Sequence, residues 1–194
     1  MADDNAEGRG LEANARVSAG NPAADSDLAV ENLALAMEFG LLYDKDLRLF
    51  HIGYNVTADR LDSHHYDLLA SEARLASLFA IAKGDAPVEH WFHLGRATTL
   101  IARDRCLLSW GGSMFEYLMP RLLMRSEAGS LLAESERVAI DAQRRYGRTL
   151  GVPWGMSESG LSATGSDQTY QYRSFGVPAL GLRRGLATET VVAP

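Results

Sequence analysis

The chain reads as mainly α, with one small β-hairpin near residues 41–54. Three observations predict that class. Apolar residues recur at helical spacing over Ser26–Gly40, Asp67–Lys83 and Ser130–Leu150. Each stretch meets a glycine at its end, Gly40, Gly84 or Gly151, and glycine is the usual stop at a helix C-terminus. Only Leu41–Tyr54 shows two short apolar runs about a polar turn.

Residues 1–24 are rich in Ala, Asn, Asp and Gly and have no periodicity, so they read as a disordered polar lead-in, with order beginning near Asp25. The first helix then carries Leu28, Leu33, Leu35 and Met37 toward a core, with Asp25 or Ser26 as N-cap. Leu41–Tyr43 and Leu49–Tyr54 flank Asp44-Lys45-Asp46, the turn of the hairpin. From Asp67, Leu68, Leu69, Leu75, Ala76, Phe79 and Ala80 keep helical spacing up to Lys83. Pro87 opens a short helical turn that carries Trp91.

Thr98–Trp110 mixes β-branched, charged and leucine residues and reads as irregular structure with one candidate strand. Ser113-Met-Phe-Glu116 has the spacing of a capping box: the serine hydroxyl accepts from the Glu116 amide while the Glu116 carboxylate reaches back to the Ser113 amide. Pro120 is expected to bend that helix. In Ser130–Leu150, Val138, Ala139, Ala142 and Tyr146 share an inward stripe. Gly151–Thr169 then forms a long loop, and long loops in compact proteins are more often functional than idle.

At 194 residues, with 46% hydrophobic and 23% charged content, one sizeable core is expected. A net charge of −6 and a pI near 5.4, without a lysine or arginine cluster, argue against a nucleic-acid or anionic-membrane surface. Cys106 is the single cysteine, which rules out an internal disulfide. The N-terminus has no apolar core of a secretory signal, and no segment reaches an apolar span of ~20 residues, so the chain as given is expected to be soluble and cytoplasmic.

The chemistry concentrates around Glu158, in Gly151-Val-Pro-Trp-Gly-Met-Ser-Glu-Ser-Gly160. An indole four residues before a loop carboxylate suits a carbohydrate: the ring covers the apolar face of a sugar while the carboxyl group moves a proton at the glycosidic oxygen. Glu158 is the first catalytic candidate and Glu116 the second, although the capping box already accounts for Glu116. Trp110, Trp154, Tyr170 and Tyr172 are candidates to stack on sugar rings, and Gln171 and Arg173 to bind hydroxyls. Asp67, Glu72 and Arg74 on the second helix read as structural polar groups. His64-His65 and the His90/His93 pair lack a third ligand at local spacing, so neither a metal nor another cofactor is expected.

Longer motifs extend the reading. They include Phe50-His-Ile-Gly-Tyr54, Tyr66-Asp-Leu-Leu-Ala-Ser-Glu-Ala-Arg-Leu-Ala-Ser77, His90-Trp-Phe-His-Leu-Gly-Arg96, Met114-Phe-Glu-Tyr-Leu-Met-Pro120, Val152-Pro-Trp-Gly155, Ser157-Glu-Ser159 and Tyr170-Gln-Tyr-Arg-Ser-Phe-Gly-Val-Pro178. On these, the stretch from about Leu28 to Pro194 resembles the glycoamylase-like domain in the middle of the cyclic β-1,2-glucan synthases. The resemblance implies an (α/α)6 toroid of helical hairpins, of which residues 25–194 would be the N-terminal portion, truncated at the C-terminus. It also implies a retaining transglycosylase that closes linear β-1,2-glucan into a ring, in a parent synthase anchored to the bacterial inner membrane.

Where the family usually continues Ser-Glu-Ser with Ala-Tyr-Asn, this chain has Gly160-Leu161-Ser162. The missing helices, or a partner chain, would complete the toroid, and the chain alone is expected to have little activity. Three functions stand open at this point. They are a module acting on β-1,2-glucan by transglycosylation or hydrolysis, a noncatalytic glucan-binding or scaffold piece, and an inactive relative.

Overall fold

The computed structural model describes residues 22–69, 71–160, 164–173, 175–182 and 192. Contacts divide the chain into two units, Met1–Met37 and Glu38–Pro194. In the first, helix α1 spans Pro22–Leu35. It begins inside the stretch expected to be disordered, ahead of Asp25 and Ser26, and ends before Gly40. Its Leu28, Val30, Leu33 and Leu35 are exposed, which corrects the expectation of a core-facing helix. Residues 1–21 lie outside the described residues.

The second unit begins with a ribbon, β1 (Tyr43–Asp44) against β2 (Leu49–Phe50), in the register Tyr43↔Phe50. This is the expected hairpin, and Arg48 makes its turn in the left-handed region at φ 58°. A second ribbon follows at once, β3 (Tyr54–Asn55) against β4 (Arg60–Leu61). Helix α2 (Ser71–Lys83) stops where Gly84 takes φ 87°. It starts after Asp67, Leu68 and Leu69, which the periodicity had placed inside it; the Asp67 carboxylate instead accepts from the Leu69 amide at 2.9 Å in a local turn. Helix α3 (Glu89–His93) is the short turn after Pro87.

Thr98–Trp110 is more regular than its composition implied. It forms β5 (Thr98–Ile101) and β6 (Asp104–Leu107), paired from Thr98↔Leu107 to Ile101↔Asp104. The turn runs through Ala102 at φ 59°. Helix α4 (Met114–Leu118) passes into a 3-10 turn at Met119–Leu122, the predicted effect of Pro120. Helix α5 (Leu131–Leu150) is capped by Ser130, whose hydroxyl accepts from the Ala133 amide, and ends at Gly151 with φ 70° and ψ 25°. A last ribbon pairs β7 (Ser159–Gly160) with β8 (Tyr172–Arg173).

The described residues thus hold five α-helices and four two-stranded antiparallel ribbons, a mixed α/β arrangement. This overturns the mainly α expectation and, with it, the toroid of helical hairpins. The physical reason is length. Helices α3 and α4 have five residues each, too few to form the long stacked pairs of a toroid, and β-ribbons fill the intervals between helices.

The main core gathers Leu68, Leu69, Leu94, Leu107, Met114, Tyr117, Val138, Ala139 and Ala142 with Met156, Val177 and Leu180. Helix α5 supplies its inward stripe as the spacing predicted, and Tyr146 packs at its edge. Polar groups inside it are answered by backbone. The Tyr117 hydroxyl donates to the Leu107 carbonyl at 2.6 Å, and the Ser135 hydroxyl accepts from the Leu107 amide at 2.9 Å while donating to the Leu131 carbonyl at 2.7 Å. These bonds fasten β6 to α4 and α5. Cys106 is enclosed between them, and burial pushes its thiol up to about 11.

His90 closes a second, smaller core around Phe50, Ala80 and Ala86. Its ring packs edge-on to Phe50 with centroids 4.6 Å apart. Its Nδ1 lies 2.8 Å from the Arg48 carbonyl, which can only accept, so Nδ1 carries the hydrogen and Nε2 accepts from the Ser77 hydroxyl at 2.8 Å. Burial holds this imidazole below its ordinary value, against the opposing bond to Arg48.

Two predictions follow from these buried groups. Unfolding restores the ordinary imidazole value of about 6.5 to His90, so its contribution to stability is full above that pH and is lost as pH falls through the lower folded value. The thermal midpoint should therefore drop between pH 7.5 and 5, with a shallower drop in His90→Gln. Cys106 should resist a disulfide reagent at pH 8 in the native chain and react fully once the chain is unfolded.

Candidate functional site

The site is built from the first turn of α4 outward. Just before the helix, two to three residues ahead of Met114, the chain makes a tight passage at Gly111–Gly112, where Gly112 has φ 75°. A side chain there would collide with the Val177 carbonyl, and one on Gly176 would collide with the backbone of Gly111 and Gly112. The two backbone segments touch, and the Val177 amide donates to the Gly112 carbonyl at 2.9 Å.

Glu116 organises this passage. The predicted capping box is present: the Ser113 amide donates to Oε2 at 2.9 Å, and the Glu116 amide donates to the Ser113 hydroxyl at 3.3 Å. The same buried carboxylate also accepts from the Ser109 hydroxyl at 3.0 Å and from the Gly111 amide, 3.0 Å from Oε1. Both oxygens are therefore occupied by donors from the chain itself.

The loop after α5 is pinned to the same helix end. Gln143, fully buried, donates to the Met156 carbonyl at 3.0 Å and accepts from the Met156 amide at 2.9 Å. The Met114 amide donates to the Met156 carbonyl at 2.9 Å, and the Phe115 amide to the Ser157 hydroxyl at 3.0 Å. Three amides in the first turn of α4, which have no partner within the helix, are thus met by Met156, Ser157 and Ser113.

Glu158 comes next along the chain. It is half-buried, and its Oε2 accepts from the Tyr172 hydroxyl at 2.8 Å. The register Gly160↔Tyr172 of the β7–β8 ribbon brings that phenol opposite the loop. Tyr170 lies over Gly160, where any side chain would strike its ring. Gln171 donates to the Thr169 hydroxyl at 3.3 Å. Arg173 pairs through its backbone with Ser159, and its side chain lies outside the described residues, as do Leu161 and Ser162.

The four candidate stacking rings are all exposed: Trp110 59%, Trp154 42%, Tyr170 70% and Tyr172 57%. Trp154 has a different neighbourhood from Glu158. The Arg144 guanidinium sits 5.1 Å from its ring centroid, and Arg144, Arg148, Val152, Pro153 and Trp154 line a shallow cleft of their own. The structure therefore joins Glu158 to Tyr172 on one ribbon, keeps Glu116 beneath the loop, and engages one face of Trp154 with an arginine.

Gln143, Ser157 and Ser109 escaped the sequence reading. For Gln143 a signal existed: it stands four residues after Ala139, on the inward stripe, where a polar residue needs buried partners. The serines carry no comparable signal, since a serine in a loop is ordinary.

A family model described as "Putative glucoamylase" matches residues 64–194. The chain is also 52% identical, over 163 residues and 84% of its length, to the cyclic beta-(1,2)-glucan synthase NdvB of Rhizobium meliloti (strain 1021). That match spans 6% of the relative's length. These similarities show the relationship that the motifs implied. Among the described residues, no helix is long and apolar enough to cross a membrane.

The geometry makes Glu116 a test of the site's foundation. In Glu116→Gln an amide NH2 would face donors where a carboxylate oxygen now accepts. The loss should be about 1.5–3 kcal/mol, the range for a hydrogen bond to a charged group. The melting midpoint should then fall by roughly 3–12 °C, measured by circular dichroism.

Proposed function

Because the chain belongs to this glucoamylase family, we propose that it is a carbohydrate-active module that holds a β-1,2-linked glucan against Glu158. The observation that carries this reading is the hydrogen bond between Tyr172 and Glu158 beside the β7–β8 ribbon, where the exposed ring of Tyr170 lies over Gly160. The phenol fixes one carboxylate oxygen and leaves the other to meet a ligand. Tyr170 and Tyr172 offer flat faces for pyranose rings, and Trp110 adds a further exposed indole. β-1,2-Glucan is the substrate class because the relative matched over 84% of this chain is a synthase of cyclic β-1,2-glucan.

In this reading Glu158 moves a proton at the glycosidic oxygen, and Tyr172 keeps the carboxylate aimed. A retaining transfer needs a second carboxyl group about 5–5.5 Å away as nucleophile. Glu116 is assigned a positioning role, because Ser109, Gly111 and Ser113 already occupy its oxygens. That same occupancy favours a second reading, a glucan-holding surface without turnover of its own. The ring-closing transfer is the finer form of the first reading, and hydrolysis of the same linkage is its alternative.

The test is incubation of the chain with linear β-1,2-glucan, with mass spectrometry distinguishing rings from shortened chains and calorimetry reading binding. Glu158→Gln should keep binding and lower turnover by about 10²–10⁴, the usual contribution of general acid–base catalysis. Binding without turnover in the parent chain would select the holding surface. No binding of β-1,2-glucan, or stronger binding of an α-1,4-linked malto-oligosaccharide, would overturn the substrate assignment.

A further inference from the structure

Away from the Glu158 loop, the fold gathers three metal-ligating side chains from separate segments of the chain. Asp44 stands in β1, His51 follows β2 and His65 lies beyond β4. The backbones of His51 and His65 form an antiparallel bridge, and the Ile52 amide donates to the His64 carbonyl at 3.0 Å. This sets the imidazoles side by side, with ring centroids 4.5 Å apart. One ligand atom from each of the three residues lies within 4.8 Å of the others, and all three side chains are half-buried.

The hydrogen-bond pattern turns two acceptors, Asp44 Oδ2 and His51 Nε2, toward the unpartnered ring nitrogen of His65. Asp44 Oδ1 accepts from the amides of Asp46 and Leu47, both at 2.8 Å, so Oδ2 is the oxygen presented to the histidines. His51 Nδ1 lies 2.6 Å from the Asp62 carbonyl, which fixes the hydrogen on Nδ1 and turns a lone pair at Nε2 toward Asp44. His65 Nε2 is buried without a hydrogen-bond partner. The two Nε2 atoms stand 3.8 and 3.7 Å from Asp44 Oδ2, beyond hydrogen-bond reach. A cation is the group that satisfies such a set.

We propose that Asp44, His51 and His65 form a binding site for a divalent transition-metal ion of the zinc type, with water as the fourth ligand. Tetrahedral zinc holds imidazole and carboxylate atoms at about 2.0–2.2 Å, hence roughly 3.3–3.5 Å from one another. Closing the cluster onto an ion takes side-chain movements on the order of an ångström or less. The Asp62 carbonyl behind His51 is the outer partner by which ligating histidines are oriented. Two imidazoles select zinc, cobalt or nickel over calcium and magnesium, which take oxygen ligands. The ion would tie β1, β2 and the end of β4 together, segments whose two-residue strands make marginal ribbons by themselves.

The experiment titrates zinc chloride into the chelator-treated 194-residue chain by calorimetry, with cobalt(II) absorption as an independent readout. One-to-one uptake and a tetrahedral cobalt spectrum are expected. His51→Ala, His65→Ala and Asp44→Asn should each weaken binding at least tenfold, while His64→Ala, at an exposed neighbour, should leave it unchanged. Circular dichroism without metal checks that each variant is folded, and for any that is not, the cobalt spectrum of the parent chain decides. Absence of saturable uptake, an octahedral cobalt spectrum, or binding that survives all three ligand substitutions or follows His64 would overturn the site.

Discussion

The first turn of α4 is the constraint on which the rest of the second unit depends. A helix start exposes amides that have no partner within the helix, and here they point into the core instead of water. Their acceptors come from two places in the sequence: Ser113 beside them, and Met156 and Ser157 some forty residues on. Glu116 then answers the amides of the approach, at Gly111 and Ser113. Because the groups of Ser113, Met114 and Glu116 are buried, leaving one of them unmet costs about 1–3 kcal/mol, a sizeable fraction of a domain's stability of ~5–15 kcal/mol. The loop carrying Glu158 is consequently part of the core's hydrogen bonding as well as a surface feature.

Local signals in the sequence were legible where the cause was itself local. Ser113 and Glu116 announce their capping box at a spacing of three, Ser130 and Gly151 bound the longest helix, and the Asp44-Lys45-Asp46 turn marks the first hairpin. The ribbons β3–β4 and β5–β6 were missed because their turns use Asp59 and Ala102 in the left-handed region, without the Asn-Gly or Asp-Gly pairs that usually advertise such turns. The N-terminus of α2 was misplaced because Leu68 and Leu69 fit a helical stripe while the Asp67 carboxylate commits that backbone to a turn.

The candidate site was legible in the same uneven way. A carboxylate near aromatics in a long loop drew attention to Glu158, and Tyr172 was already a candidate for contact with sugar. Their direct bond depends on the pairing of β7 with β8, which no local pattern encodes. Trp154 stood closer to Glu158 in sequence, yet Arg144 on α5 engages its ring and gives it separate surroundings. Proximity along a chain is a poor guide within a loop whose residues alternate between inward anchors and outward groups.

That alternation separates persistence of the fold from persistence of the site. Ser157 faces inward and answers an amide of α4, whereas Glu158, its neighbour, accepts across the ribbon from a tyrosine whose own side chain is exposed. Selection for a folded protein therefore guards position 157, while position 158 would be guarded by the proposed acid–base role. In a lineage released from the need for chemistry, a single codon change at 158 would erase the acid and leave the architecture standing, ready to serve as a lectin-like surface.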